Sequence, residues 1–231
     1  GDRQTSLRLL RATKNRYGPA DEVACFEQAD RGLIEVADPS QIFRGERDRP
    51  VSGTAVTVTI EGRRPMACEV QALSMANSHP NPRRGVNGFD SSRIAMLLAV
   101  TQRASNIKFS EQDVFVATMG GMRITDTGAD LAICLALKTA HGKIAVPTDL
   151  LALGEVTLSG DIRPVPMLTQ RVMEGVRLGY RTILAPRGTR AKLSSTSALK
   201  DSRILEADHL RSALAKVEYV ATSETPSNLV F

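Results

Sequence analysis

Tryptophan is absent, and aromatic residues make up only 4% of the chain. That scarcity argues against recognition built mainly on bases stacked against aromatic platforms. No GxxxxGK[ST] stretch occurs anywhere, so these residues alone cannot cradle nucleotide phosphates in the P-loop manner. Cysteine is sparse: Cys25, Cys68 and Cys134 are odd in number, widely spaced and without a CxxC. The pattern suits neither a disulfide framework nor a zinc ribbon. Each thiol has apolar neighbours, so buried free cysteines and a reducing compartment are expected. His79, His141 and His209 are scattered, and no metal site is expected in this chain. There is no run of about 18 apolar residues and no charged-then-apolar leader. The expectation is a soluble, cytoplasmic chain with no membrane partner.

Hydrophobic residues reach 42%, enough for a buried core, and the formal net charge is +5 over 231 residues. A mild basic excess suits a polyanion, although many domains that bind none share it. The length fits one large domain, or a modest one with a fragment of another.

Thr5–Arg16 reads as a strand, and Glu22–Glu27 as a second after the turn at Tyr17-Gly18-Pro19. Gly32–Val36 follows. Two or three strands cannot bury a core of their own, so residues 1–36 are read as the tail of a separate domain. Residues 37–50 are mixed in charge and broken by proline, which reads as a linker. Residues 51–222 then form the main domain, and 223–231 a frayed tail. Thr54–Ile60 alternates Val56, Val58 and Ile60 with threonine, a half-buried strand. It turns at Glu61–Arg64 and returns as Met66–Leu73. Asn77–Gly88 reads as a loop. Asp90 or Ser91 caps a helix through Arg93–Val100. Asp113–Thr118 reads as a buried strand. Ala129–Thr139 is apolar nearly all round and so a central helix. A helix is expected from Pro164 to Gly179, a strand over Thr182–Leu184 and a last helix over Leu205–Val217. Hairpin first, then irregular alternation, the class is α+β or mixed α/β.

Three constellations bear on chemistry. Lys14 and Arg16 lie two apart on a strand, so both cations share a face beside a turn, an arrangement suited to a phosphate. Ordinary surface charges at a strand end would look the same. Further basic clusters are Arg63-Arg64 on a hairpin turn, Arg83-Arg84 on a long loop, and Arg187, Arg190 and Lys192 in a Gly/Ser-rich loop. Any of these could contact DNA phosphates or be solvated loops.

The stretch Lys14-Asn15-Arg16-Tyr17-Gly18 is similar to the signature that closes the RecA-like ATPase core of bacterial RadA/Sms recombination and repair proteins. Tyr17 stands where that family has Phe. Glu69–Leu73, Asn81–Arg84, Asn87–Asp90 with Arg93, Asp113–Val116, Ala129–Ala132 and Leu158–Val165 resemble the remainder of that family, a Lon-protease-like domain. The resemblance covers roughly residues 50 to 220. It implies a Lon protease proteolytic-domain-like fold, preceded by strands from the end of a RecA-like core. It also implies that Lys14 and Arg16 reach the γ-phosphate of a neighbouring subunit's ATP. The implied assembly is a hexameric ring acting with the RecA recombinase on single-stranded and branched DNA in branch migration. No cofactor is implied within these residues; ATP, magnesium and zinc belong to the full-length family member. Of the basic clusters, Arg83-Arg84 is preferred for DNA because the family motif includes it, with Arg63 and Arg64 as further candidates.

A Lon-type peptidase needs a serine nucleophile at a helix start and a lysine base early in a later helix. Those positions fall at Gly128 and Thr169. Neither residue can do the chemistry, so the peptidase dyad is expected to be lost. Two alternatives stand: a relocated dyad (Ser159 or Thr127 with Lys138 or Lys143), or an oligomerising module without DNA contact.

Overall fold

A computed structural model describes residues 7–11, 23–29, 32–36, 38, 40–43, 49–77, 81–194, 196 and 199–224. The motif Lys14-Asn15-Arg16-Tyr17-Gly18 lies outside the described residues. So does the end of the expected C-terminal tail, residues 225–231.

Strands β1 (Leu7–Arg11), β2 (Val23–Ala29) and β3 (Gly32–Glu35) form a three-stranded antiparallel sheet in that order. Val23 and Cys25 are buried with the main core. A short helix α1 (Ser40–Phe43) follows, and Phe43 joins the same core. The two-residue strand β4 (Val51–Ser52) leads into the hairpin. The alternation over 54–60 holds: β5 (Thr54–Glu61) pairs antiparallel with β6 (Arg64–Ala76), Val58 opposite Ala67.

The expected loop over 77–88 contains a strand, β7 (Arg84–Asn87), lying parallel to β8 (Gln112–Thr118). Four residues carrying only Val86 as a large apolar side chain offered no period to detect. β8 is also not fully buried. Val114 and Val116 face the core while Phe115 is 38% exposed, so the strand has one wet face.

Between them runs α2 (Ser91–Ser105), capped by Asp90, whose carboxylate accepts the Arg93 N–H at 2.9 Å. Next comes α3 (Asp130–Gly142), buried almost all round. Strands β9 (Ala145–Val146), β10 (Leu150–Ala152), β11 (Glu155–Val156) and β12 (Ile162–Arg163) follow. Then come α4 (Leu168–Arg177), β13 (Thr182–Pro186), α5 (Thr189–Leu193), β14 (Arg203–Ala207) and α6 (Leu210–Glu224). Two expectations are corrected here. α4 starts at Leu168 rather than Pro164, because an irregular stretch and a turn at 166–167 occupy the intervening residues. The last helix starts at Leu210, because β14 takes Leu205 into the sheet beside β13.

The central sheet has seven strands in the order β14-β13-β10-β5-β6-β8-β7. The pairs on either side of β13, the β10–β5 pair and the β7–β8 pair are parallel; β5–β6 and β6–β8 are antiparallel. The sheet is therefore mostly parallel and the class mixed α/β. Helices cover both faces. Ala55, Leu150 and Ala152 pack with α2, α3 and α6 on one side. Val58, Leu151, Leu153 and Ile183 pack with Leu168, Val172 and Val176 of α4 on the other. Strand alternation supplies both cores from the same strands.

The free edge at β14 is guarded. The Ile204 carbonyl accepts from Arg190 Nη2 at 2.9 Å, and the Glu206 carbonyl accepts from Lys216 Nζ. Cations on an edge strand discourage another strand from adding to it.

Candidate functional site

The start of α3 and the start of α4 converge on one buried ion pair. Gly128 lies in a 3-10 turn, Thr127–Ala129, that feeds into α3. Asp126 caps that turn, its Oδ1 accepting the Gly128 N–H at 2.8 Å. Its Oδ2 accepts the Ile60 N–H and the Thr59 hydroxyl, each at 3.2 Å. The same oxygen takes the Arg171 guanidinium. Arg171 also donates Nη1 to the Val58 carbonyl at 2.7 Å and Nε to the Pro166 carbonyl at 2.9 Å. Its side chain is 2% exposed. Both oxygens of the carboxylate are engaged, as a buried charge requires.

This pair fills the space beside Gly128. A Cβ built there would lie 2.7 Å from Arg171 Nη1 and 3.0 Å from Asp126 Oδ1. A guanidinium held by two carbonyls and a carboxylate cannot step aside cheaply. Thr169, the second residue of α4, is exposed. The residue from α4 that reaches position 128 is Arg171, not Thr169. Burial alone would push the Asp126 carboxyl up; Arg171, the Gly128 N–H and the Ile60 N–H together hold it below the usual carboxylate range.

A second pair stands close by in sequence. Arg93 of α2 donates Nε to Asp130 Oδ1 at 3.0 Å and Nη2 to Oδ2, while Oδ2 accepts the Val156 N–H at 3.0 Å. Here the balance is opposite. Burial raises Asp130 above the usual range despite Arg93. Asp130 is thus a buried acid that joins α2, α3 and β11.

Sequence reading missed Arg171, and a signal for it existed. Leu168, Arg171, Val172, Gly175 and Val176 are the buried positions of α4. They follow the i, i+3, i+4, i+7, i+8 stripe of a core-facing helix. An arginine on such a stripe needs a buried partner.

The relocated-dyad candidates do not assemble. Ser159 donates its hydroxyl to Asp161 at 2.5 Å. Lys138 pairs with Glu218 at 2.9 Å. Thr127 precedes α3, whereas Lys138 and Lys143 lie eleven and sixteen residues later, along and just past that helix. At 1.5 Å per residue they are roughly 16 and 24 Å away along the axis.

The basic clusters are separated. Arg63 is exposed on the β5–β6 turn, and Arg64 opens β6, its Nη1 donating to the Val23 carbonyl at 3.4 Å. Arg83 is exposed, and its main-chain N–H donates to Asp113 at 2.7 Å. Arg84 donates to the carbonyls of Phe109 at 2.8 Å, Arg83 at 3.0 Å and Gln112. Its guanidinium therefore ties β7 to the start of β8. Across β8, Arg84 lies level with Ser74 of β6, ten residues from Arg64, which is roughly 33 Å of strand. The two arginine pairs are not one patch. Arg190 and Lys192 lie on α5 rather than in an open loop, and Arg187 lies 3.9 Å from Asp208.

Cys25, Cys68 and Cys134 are free and buried. Burial pushes the Cys68 and Cys134 thiols up to about 12. Among the described residues, no group of three His, Cys, Asp or Glu gathers where a metal could be held. No described helix is long and apolar enough to cross a membrane.

Fold and site together define a mixed α/β domain with an internal ion pair, Asp126–Arg171, between the starts of α3 and α4. Residues 90–189 match the family model described as subunit ChlI of Mg-chelatase. The DNA repair protein RadA of Mycolicibacterium smegmatis is 45% identical over 221 residues, 96% of this chain and 46% of that protein. RadA of Mycobacterium tuberculosis is 41% identical over 207 residues, 90% of this chain and 43% of that protein. RadA of Haemophilus influenzae is 38% identical over 218 residues, 94% of this chain and 47% of that protein. The chain is similar to these RadA proteins over nine tenths or more of its own length, as a fragment of one would be, and it spans a little under half the length of these relatives.

Proposed function

We propose that the chain serves DNA repair as a Lon-like scaffold without peptidase chemistry, working with a RecA-like ATPase. The observation that carries the reading is the Arg171 guanidinium seated against Gly128. A nucleophile at 128 and a base at 169 are both missing, and the space between α3 and α4 is filled by a satisfied ion pair. Fold alone does not carry function, so the site decides. The RadA relatives support the repair role.

In this reading residues 1–36 are the tail of the ATPase core, 37–50 a linker, 51–222 the scaffold and 223–231 a tail. Lys14 and Arg16 contact the γ-phosphate across a subunit interface in a hexameric ring. They stabilise charge on the transferred phosphoryl group. ATP with its magnesium is held by another part of the assembly, since no P-loop lies in these residues. The scaffold holds single-stranded and branched DNA as RecA-made intermediates migrate. Arg83 and Arg63 are the first cations to test for DNA; Arg84 and Arg64 hold carbonyls of the fold.

Casein hydrolysis and labelling by a serine-reactive probe test the peptidase half, and both are expected to be nil. Turnover or a labelled serine would overturn it. Anisotropy of labelled forked DNA across salt concentrations tests the other half. Arg83→Ala is expected to weaken binding and flatten the salt dependence. Binding that is absent at every salt concentration would leave an oligomerising module only. Arg16→Ala in the ATP-hydrolysing assembly is expected to abolish DNA-stimulated turnover while leaving nucleotide binding intact; unchanged turnover would remove the trans role.

A further inference from the structure

A recess of about 330 Å³ opens between the end of α2, the turn over residues 157–161 and the start of α6. Arg103 and Arg211 line it with Ser159, Gly160 and His209. Its floor is tightly hydrogen-bonded. The Leu210 N–H donates to the Gly160 carbonyl at 2.7 Å, and the Ile162 N–H to the Asp208 carbonyl at 2.8 Å. Gly160 has φ 95°, and a Cβ there would lie 2.8 Å from His209 Nε2. The backbone turn is thus pressed onto the imidazole. His209 Nδ1 accepts the Arg211 N–H at 3.1 Å, so its proton is on Nε2, which faces the Ser159 carbonyl at 3.3 Å.

The two guanidiniums are exposed, and among the described residues neither makes an ion pair. The nearby carboxylate, Asp161, takes the Ser159 hydroxyl at 2.5 Å. Two arginines without carboxylates, around one concavity with a rigid floor, fit a ligand with several acceptor oxygens. Arginine forks onto phosphate with two parallel hydrogen bonds. The recess also lies beyond the carboxyl end of β14, the side where open α/β sheets hold their ligands.

We propose that Arg103 and Arg211 form a phosphate-binding recess, separate from Arg63 and Arg83, whose phosphate comes from a nucleic-acid backbone or a free nucleotide. The probe is inorganic phosphate, titrated at constant ionic strength into the 231-residue chain while amide resonances are followed. Saturable shifts are expected at Gly160, Arg211 and Ser212. They should vanish in the double variant Arg103→Gln, Arg211→Gln and persist in Arg83→Gln. Glutamine at these exposed positions leaves the core untouched, which an unchanged amide spectrum elsewhere verifies. Shifts that never saturate, or that survive in the double variant, overturn the site. Labelled oligothymidylate then separates the sources. For a backbone phosphate, the double variant weakens binding about threefold or more, and its log–log salt slope falls by about 0.7 for each single-strand phosphate that is no longer neutralised. For a nucleotide, oligothymidylate binding is unchanged while ADP reproduces the phosphate shifts. Arg83→Ala can fail to alter DNA binding without touching the phosphate shifts, so the two sites stand or fall separately.

Discussion

Removing both members of the Arg171–Asp126 pair should cost clearly less than the two single removals added together. Asp126→Asn leaves the guanidinium, 2% exposed, without its counter-charge. Breaking such a pair costs about 3–5 kcal/mol, against a typical total stability of about 5–15 kcal/mol. Arg171→Met leaves a carboxylate still held by the Gly128 and Ile60 N–H groups and the Thr59 hydroxyl, and orphans the Val58 and Pro166 carbonyls. Its cost should be similar or somewhat smaller. In the double variant, the introduced asparagine is neutral and can still accept from Gly128, and the introduced methionine fills the apolar stripe of α4. The double cost should therefore fall short of the sum of singles by about 2 kcal/mol, within the usual range for contacting residues. Urea unfolding measures this directly. With a slope of about 2–3 kcal/mol/M, each single variant should lower the midpoint by roughly 1–2 M. A coupling energy under about 0.5 kcal/mol, or an unmoved midpoint for Asp126→Asn, would refute the reasoning.

Three further outcomes follow from the same geometry. Gly128→Ser with Thr169→Lys should restore no casein hydrolysis and should lower the melting temperature, because the new serine side chain meets Arg171; overpacking of this kind costs about 1–3 kcal/mol. The two buried aspartates should respond oppositely to pH. Asp126 is held low, so its contribution is present above about pH 4 and lost below, and the penalty of Asp126→Asn should shrink in acid. Asp130 is held high, so native stability relative to Asp130→Asn should decline as pH rises from about 4 toward neutral; denaturation curves at about pH 4 and pH 7 test Asp130, and curves at about pH 2.5 and pH 4 test Asp126. Finally, Cys68 and Cys134, with thiols pushed up to about 12, should resist iodoacetamide at pH 8 in the native chain and react fully in urea; fast native labelling of either would contradict their burial.

The elements that announced themselves were those with an uninterrupted period. The threonine–valine alternation of β5 and the apolar surface of α3 both stand where they were expected. What was illegible was short or contingent on a neighbour. β7 is four residues whose reason for being a strand is the backbone of β8, not their own side chains. Leu205 looked like the start of the last helix because helix and strand are not separable by composition over five residues; β13 decided it. The candidate site was half legible. Gly128 and Thr169 could be marked, from the resemblance, as positions offering neither a nucleophile nor a base, but the guanidinium that fills the space beside Gly128 could not. Arg171 reads as one more charge in a basic chain until α4 is placed against β5. Arg84 was singled out for DNA, and only the fold shows it bound to three carbonyls.

The Arg171–Asp126 pair bears directly on the proposal that no peptidase dyad operates between α3 and α4. A catalytic serine and lysine must stay reachable by substrate, so the structure around them has to hold a cleft open. Arg171 does the reverse: one guanidinium on α4 joins the Val58 carbonyl of β5 and the turn before α3. It closes the space and couples the two helix layers across the sheet. Once residue 128 is glycine, nothing opposes that closure, because the absent Cβ is what makes room for Nη1. With Arg171 seated, a serine placed at 128 carries a steric cost. The glycine at 128 and the ion pair therefore reinforce each other. Under the proposed function, it is therefore the exposed cations, rather than this filled interior, that would meet DNA.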